Sequence, residues 1–164
     1  MKYEEIIREK MTREALLLQA VEEIAETIKA GCKRLRALGN GNPTPVKPEL
    51  ARENLQEEIH DMVNMFNILE MEKAVRAPLK PQNIGGAIDE EVAIMGMICN
   101  LTEASAILAD MATGFNTDNE IATKAATLIY VALRRISTSY DIRYGEECQS
   151  KMARWVRRLK EGEA

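Results

Sequence analysis

Apolar positions early in the chain recur at alternating steps of three and four. Leu17, Val21, Ile24, Ile28, Gly31, Leu35 and Leu38 keep this rhythm, which marks one buried helical face. The pattern predicts a long helix from near Thr12 to Leu38. Gly39-Asn40-Gly41-Asn42-Pro43 ends it, because Gly and Asn accept left-handed dihedrals and Pro cannot continue a helix. A Pro-rich connector follows, through Pro45 and Pro48. A second helix is expected to start at Pro48 or Glu49, where Pro suits the first turn. Leu55, Ile59, Met62, Phe66 and Leu69 form its seam. It fades before Pro78, and Pro81 with Gly85-Gly86 mark another loop.

A third helix is predicted over Asp89 to Met111, with Ile94, Ile98, Leu101, Ser105 and Leu108 in step and Gly114 as its stop. Thr117-Asp118-Asn119-Glu120 is a capping-box pattern. It opens a fourth helix carrying Ile121, Ala125, Leu128, Ala132 and Ile136. A last helix, roughly Glu146 to Lys160, has Cys148, Met152, Trp155 and Leu159 on one face. No segment shows the period-two alternation of a strand. The expected fold is all-α: one domain over residues 1–164, a four-helix-bundle core with accessory helices.

Composition supports helices over sheets. Aromatics make up 4% of the 164 residues, whereas sheets lean on aromatic and β-branched side chains. A formal charge of -4 with both signs interspersed leaves no electrostatic footprint for duplex nucleic acid. Cys32, Cys99 and Cys148 are odd in number and lack a CxxC spacing, so neither a zinc site nor a disulfide framework is expected. They are read as buried small hydrophobes, and Met62, Met65, Met71, Met95 and Met97 as core packing. The charged N-terminus has no apolar signal core. The apolar runs look interrupted by charge short of a membrane span. A cytoplasmic protein without membrane contact is therefore expected.

Two acidic clusters on consecutive helices change this bland picture. Glu22-Glu23-Ile24-Ala25-Glu26 lies on the first and Glu57-Glu58-Ile59-His60-Asp61 on the second. Glu23 and Glu26 are three residues apart, as are Glu58 and Asp61, so each pair shares a helix face. If the helices pack antiparallel through their seams, the acidic faces meet at one edge. Converging carboxylates repel one another without a cation, and they suit hard ions such as Mg²⁺ or Mn²⁺. The bland alternative is a solvated surface face. The second cluster, however, has no Lys or Arg at its nearest helical neighbours and the first has only Lys29, fewer than a stabilised surface face normally offers.

Gln19 and Lys33 continue the line of the first cluster, and Asn64 lies one turn past Asp61. Lys33 can meet a triphosphate, or it can simply favour the negative end of the first helix together with Arg34 and Arg36. Asn64 can hydrogen-bond a ligand, or face a polar cavity. Lys151, Arg154, Arg157 and Arg158 can grip phosphate oxygens across a subunit interface, or form a solvated face. His60, the one histidine, completes an ExxH element. A di-iron bundle needs two of these plus two further Glu residues, so a surface or supporting role is expected.

The order EExxE, loop, EExxD resembles the MazG-like all-α nucleoside triphosphate pyrophosphohydrolases, relatives of the dimeric dUTPases and of phosphoribosyl-ATP pyrophosphohydrolase. Ala20-Val21-Glu22-Glu23-Ile24-Ala25-Glu26 is similar to the first motif, and Asn54-Leu55-Gln56-Glu57-Glu58-Ile59-His60-Asp61-Met62 to the second. The likeness spans roughly residues 12 to 75. The tail from Cys148 to Leu159 also looks like the closing basic helix of such proteins, and residues 86–164 would complete the bundle. The resemblance implies that Glu23, Glu26, Glu58 and Asp61 bind Mg²⁺ and that Glu22 assists a metal-bound water. Gln19, Lys33, Asn64, Lys151, Arg154 and Arg158 are then candidates for touching substrate. It further implies hydrolysis of (d)NTP to (d)NMP and pyrophosphate by a homo-oligomer. A non-catalytic nucleotide-binding or helical interaction protein of the same fold is the alternative expectation.

Overall fold

The computed structural model of the chain describes residues 2–80, 88–114 and 118–162. All the regular elements among them are helices: α1 (Tyr3–Lys10), α2 (Arg13–Ala37), α3 (Pro48–Ile68), α4 (Met71–Val75), α5 (Glu90–Ala112), α6 (Asn119–Ile136) and α7 (Glu146–Glu161). Thr12 caps α2, its Oγ1 accepting from the Ala15 amide at 3.2 Å. The other end of α2 closes through paired backbone bonds. The Gly39 amide donates to the Arg36 carbonyl at 3.1 Å and the Asn40 amide to the Leu35 carbonyl at 3.0 Å. Gly39 takes φ +104° to make that turn, a conformation costly for a residue with a Cβ. Asp89 and Asp118 cap α5 and α6. The expected loop markers Pro81 and Gly85-Gly86, and Thr117 of the capping-box pattern, lie outside the described residues.

The long helices run antiparallel to their neighbours. At one end of the molecule the start of α5 meets the end of α2, where Gly31 faces Ile94, Met97 and Ile98. At the other end Leu16 and Leu17 share a cavity wall with Ile68, Leu108 and Met111. α5 packs chiefly on α6 and α2, and α2 on α3. Helix α1 rests on α7 and α3. Buried side chains from each of these helices join one core.

Particular positions depart from the expected seams. On α6, Ile121 and Leu128 are partly buried while Ala126, Ile129 and Leu133 are buried, because this helix packs on more than one neighbour and its buried stripe widens. On α5, Ala93, Met97 and Ala104 take the interior, and Ile98 and Ser105 lie at its margin. That helix is apolar nearly all round, so its period does not single out a face. Met95, Cys32 and Cys99 are exposed rather than core residues. Trp155 packs partly buried against the core. By length and composition α5 would also suffice to cross a membrane, with a mean hydropathy of 1.7 over its most apolar stretch. The expectation that charge interrupts every apolar run short of a span therefore fails for it.

A polar knot fastens the end of the bundle where α2 stops and α5 starts. Glu90 accepts two hydrogen bonds from Arg34, from Nε at 3.0 Å and Nη2 at 2.9 Å. It accepts further bonds from Arg52 Nη1 at 2.9 Å and from the Tyr140 hydroxyl at 2.5 Å. Arg34, which is 7% exposed, also donates to the Pro48 carbonyl at 2.8 Å. Arg52 stacks on the Tyr140 ring and donates to the Ser139 carbonyl. Burial pushes the Glu90 carboxyl up, but the bonds from Arg34 and Tyr140 outweigh it and hold it below its ordinary value. One carboxylate thus joins α2, α3, α5 and the segment after α6.

Candidate metal centre

Antiparallel packing of α2 and α3 brings the acidic turns together. One carboxylate oxygen each from Glu23, Glu26 and Glu58 lies within 4.8 Å of the others. Glu23 and Glu58 are half-buried and Glu26 is exposed. Thr27, 1% exposed, sets the register. Its hydroxyl donates to the Glu23 carbonyl at 2.8 Å and sits 3.3 Å from the Glu58 carbonyl of the facing helix. Gln19 Nε2 donates to Glu23 Oε1 at 2.7 Å and so orients that carboxylate.

The electrostatics of the cluster are those of buried acids in each other's company. Burial pushes the Glu23 carboxyl up from 4.5 to about 7; the Gln19 bond opposes the shift, and the charges of Asp61, Glu26 and Glu58 add to it. Burial likewise raises Glu58, helped by Glu26 and Asp61 and opposed by Lys151. Asp61 stands beside the trio rather than in it. Its Oδ2 accepts from Lys151 Nζ at 2.5 Å, and Lys151 also donates to the Glu57 carbonyl at 3.1 Å. Burial raises Asp61 even so, against the pull of Lys151.

Opposite this acidic edge stands the basic face of α7. Glu23, Glu26, Glu57 and Asp61 share a cavity of about 410 Å³ with Lys151, Arg154, Arg157 and Arg158. Steps of three and four put these cations along one side of their helix. Lys151 reaches the acidic cluster within a single chain, and Arg154, Arg157 and Arg158 line the same cavity; the sequence left these cations open between a subunit interface and a solvated face.

Other expected residues lie elsewhere. Glu22 is exposed, and neither it nor Lys33 lines the cavity. Asn64 is 4% exposed and its Oδ1 lacks a hydrogen-bond partner among the described residues. His60 is buried rather than at the surface. Its Nε2 lies 3.0 Å from the Gln56 amide nitrogen, so that nitrogen accepts and Nδ1 carries the proton, 2.8 Å from Glu147. Nδ1 thus docks α7 on α3 while Nε2 is held within α3 by Gln56, which leaves no imidazole nitrogen for an iron ligand. Glu57 as a cavity residue was missed. Its only sequence signal is that it precedes Glu58.

No family model, no curated protein and no solved structure matches this chain.

Three hard oxygen donors from two helices, two of them with raised proton affinity, fit a divalent cation bound through oxygen. They also predict how metal-free protein responds to pH. Below pH 4.5 Glu23 is protonated whether the chain is folded or not. Between 4.5 and about 7 the unfolded chain loses this proton while the folded chain keeps it. Stability from Glu23 therefore falls as pH rises through that window. In EDTA, the melting temperature of Glu23→Gln should gain on wild type across the same interval, and Mg²⁺ should narrow the gap. A gap that stays constant with pH would refute the assignment.

Proposed function

We propose that this protein is a Mg²⁺-dependent nucleoside triphosphate pyrophosphohydrolase of MazG-like fold, working in the cytoplasm. It splits a ribo- or deoxyribonucleoside triphosphate into the monophosphate and pyrophosphate. The observation that carries this reading is the two-walled cavity, carboxylates on α2 and α3 facing four cations on α7. An acidic wall alone repels a triphosphate. Glu23, Glu26 and Glu58 would hold a cation that offsets most of that local charge. Bound Mg²⁺, or Mn²⁺ in its place, supplies Lewis-acid polarisation of phosphate oxygens and of water.

The chain's own residues do the rest. Gln19 and Thr27 hold the acidic turns in register. Lys151, Arg154, Arg157 and Arg158 bind the oxygens of the β- and γ-phosphates through charge-assisted hydrogen bonds. Lys151 exchanges Asp61 for phosphate, which frees Asp61 to join the other carboxylates. Water attacks the α-phosphorus, and the bond from it to the bridging oxygen of the β-phosphate breaks. Glu57 lines the cavity and takes the water's proton, a role that Glu22, which does not line it, is badly placed to fill.

The test is incubation with a panel of ribo- and deoxyribonucleoside triphosphates plus Mg²⁺. Monophosphate and pyrophosphate in equal amounts are expected. Orthophosphate as the only phosphate product, or no turnover of any nucleotide, overturns the reading. The Asp61–Lys151 pair also favours a second reading, a non-catalytic nucleotide-binding protein in which Asp61 never joins the trio. Thermal stabilisation by Mg²⁺-nucleotide without turnover would select it.

A further inference from the structure

The side of α5 turned away from α2 and α6 carries an uncovered apolar seam. Val92 and Met95 are 57% and 49% exposed, and Cys99, Thr102 and Ala106 are exposed as well. The steps between them are three, four, three and four, the spacing of a coiled-coil seam rather than of scattered surface residues. Thr102 fits because its hydroxyl already donates to the Ile98 carbonyl at 2.8 Å. None of these residues lines the phosphate cavity, so a role for the seam is independent of catalysis there.

We infer that this seam pairs with the same seam of a second copy of the chain, antiparallel, about a twofold axis through the Cys99–Thr102 layer. The charges at its margin select this occupant and direction. On the α6 side of the seam, Arg135 lies across Gly96, where an added Cβ would come within 2.5 Å of its Nη1. Glu103 lies on the same side, bonded to Lys124 at 2.6 Å. A twofold axis through the layer of Cys99 and Thr102 sends the second copy's Glu103 to the level of Ile98, beside Gly96 and Arg135. Parallel pairing instead sends the two Glu103 residues to opposite sides of the interface, away from the partner's Arg135 side, and it aligns the two helix dipoles. A lipid surface suits the seam less well. Glu90 and Glu91 open α5, its last turn holds no basic residue, and anionic headgroups repel such ends.

Seams that interlock in this way bring helix axes to about 8–10 Å, and the two Cys99 residues to neighbouring positions. In a Cys32→Ser background, Cys99 is the one exposed thiol. A short bis-maleimide is then expected to join two chains in high yield, and light scattering to give twice the 18.4 kDa chain mass. Met95→Asp should yield a monomer with unchanged helix content and no cross-link. Direction is read from Val92→Cys with Cys32 and Cys99 both changed to Ser. Antiparallel pairing holds these two thiols about 25 Å apart, at 1.5 Å per residue, so the same reagent leaves them unlinked. The proposal is overturned by a monomeric wild type at high micromolar concentration, by a dimer that survives Met95→Asp, or by efficient linking through Val92→Cys. Binding to anionic vesicles that Met95→Asp abolishes, with no dimer in solution, overturns it in favour of a membrane.

Discussion

Glu58→Gln is expected to lower pyrophosphate release at least ~100-fold while making the metal-free protein more stable. Loss of groups that merely support a ligand costs about 10–100-fold, and Glu58 contributes an oxygen directly to the trio. The opposite sign of the stability change follows from the same geometry. Without a cation, Glu58 is a half-buried acid whose ionisation is disfavoured by burial and by the charges of Glu26 and Asp61. An amide of nearly equal shape removes that repulsion and keeps the packing. The signature is therefore double: a higher melting temperature in EDTA than wild type, and a much smaller rise on adding Mg²⁺. If Glu58→Gln melts lower in EDTA and still turns over nucleotide at the wild-type rate, the carboxylate is structural and the metal assignment falls.

The second large effect lies at the other site, in the Glu90 knot. Glu90→Gln is expected to cost about 3 kcal/mol, the lower end for breaking a buried ion pair from one side. The loss comes from what remains. Arg34, with its side chain 8% exposed, would keep its charge and lose a bidentate partner, while Tyr140 would keep only a weaker, neutral acceptor for its 2.5 Å bond. A urea titration measures the shift. Replacing the partners together, Arg34→Met and Glu90→Leu with Tyr140→Phe, should recover most of it, since an apolar cluster of similar volume is often as stable as the buried ions. A Glu90→Gln midpoint indistinguishable from wild type would show that the knot is decorative.

The two sites differ in how far the sequence disclosed them. Glu23, Glu26 and Glu58 were legible because local helical spacing fixes which residues share a face, and seam periodicity fixes which faces meet. Helices α2, α3, α5, α6 and α7 were legible for the same reason. Helix α1 was not, because Ile7 is its one buried residue and a single anchor makes no period. Helix α4, with five residues, is shorter than two turns. Contacts between distant segments left no trace either. Lys151 meets Asp61 across 90 positions and Arg34 meets Glu90 across 56, and neither pairing follows from helical spacing. Exposure of Cys99 and Met95 was hidden by the richness of α5 itself, where apolar residues outnumber the places a core offers them.

The long interval between Asp61 and Lys151 has a consequence for synthesis. The acid-bearing hairpin leaves the ribosome 90 residues ahead of the lysine that will neutralise it. At about 5–20 residues per second, that is a delay of roughly 5–20 seconds. During this time the nascent chain holds clustered negative charge with no basic partner from α7, so free divalent ions in the surrounding solution are the counter-charge at hand. On the proposed metal reading, cation capture precedes closure of the basic wall.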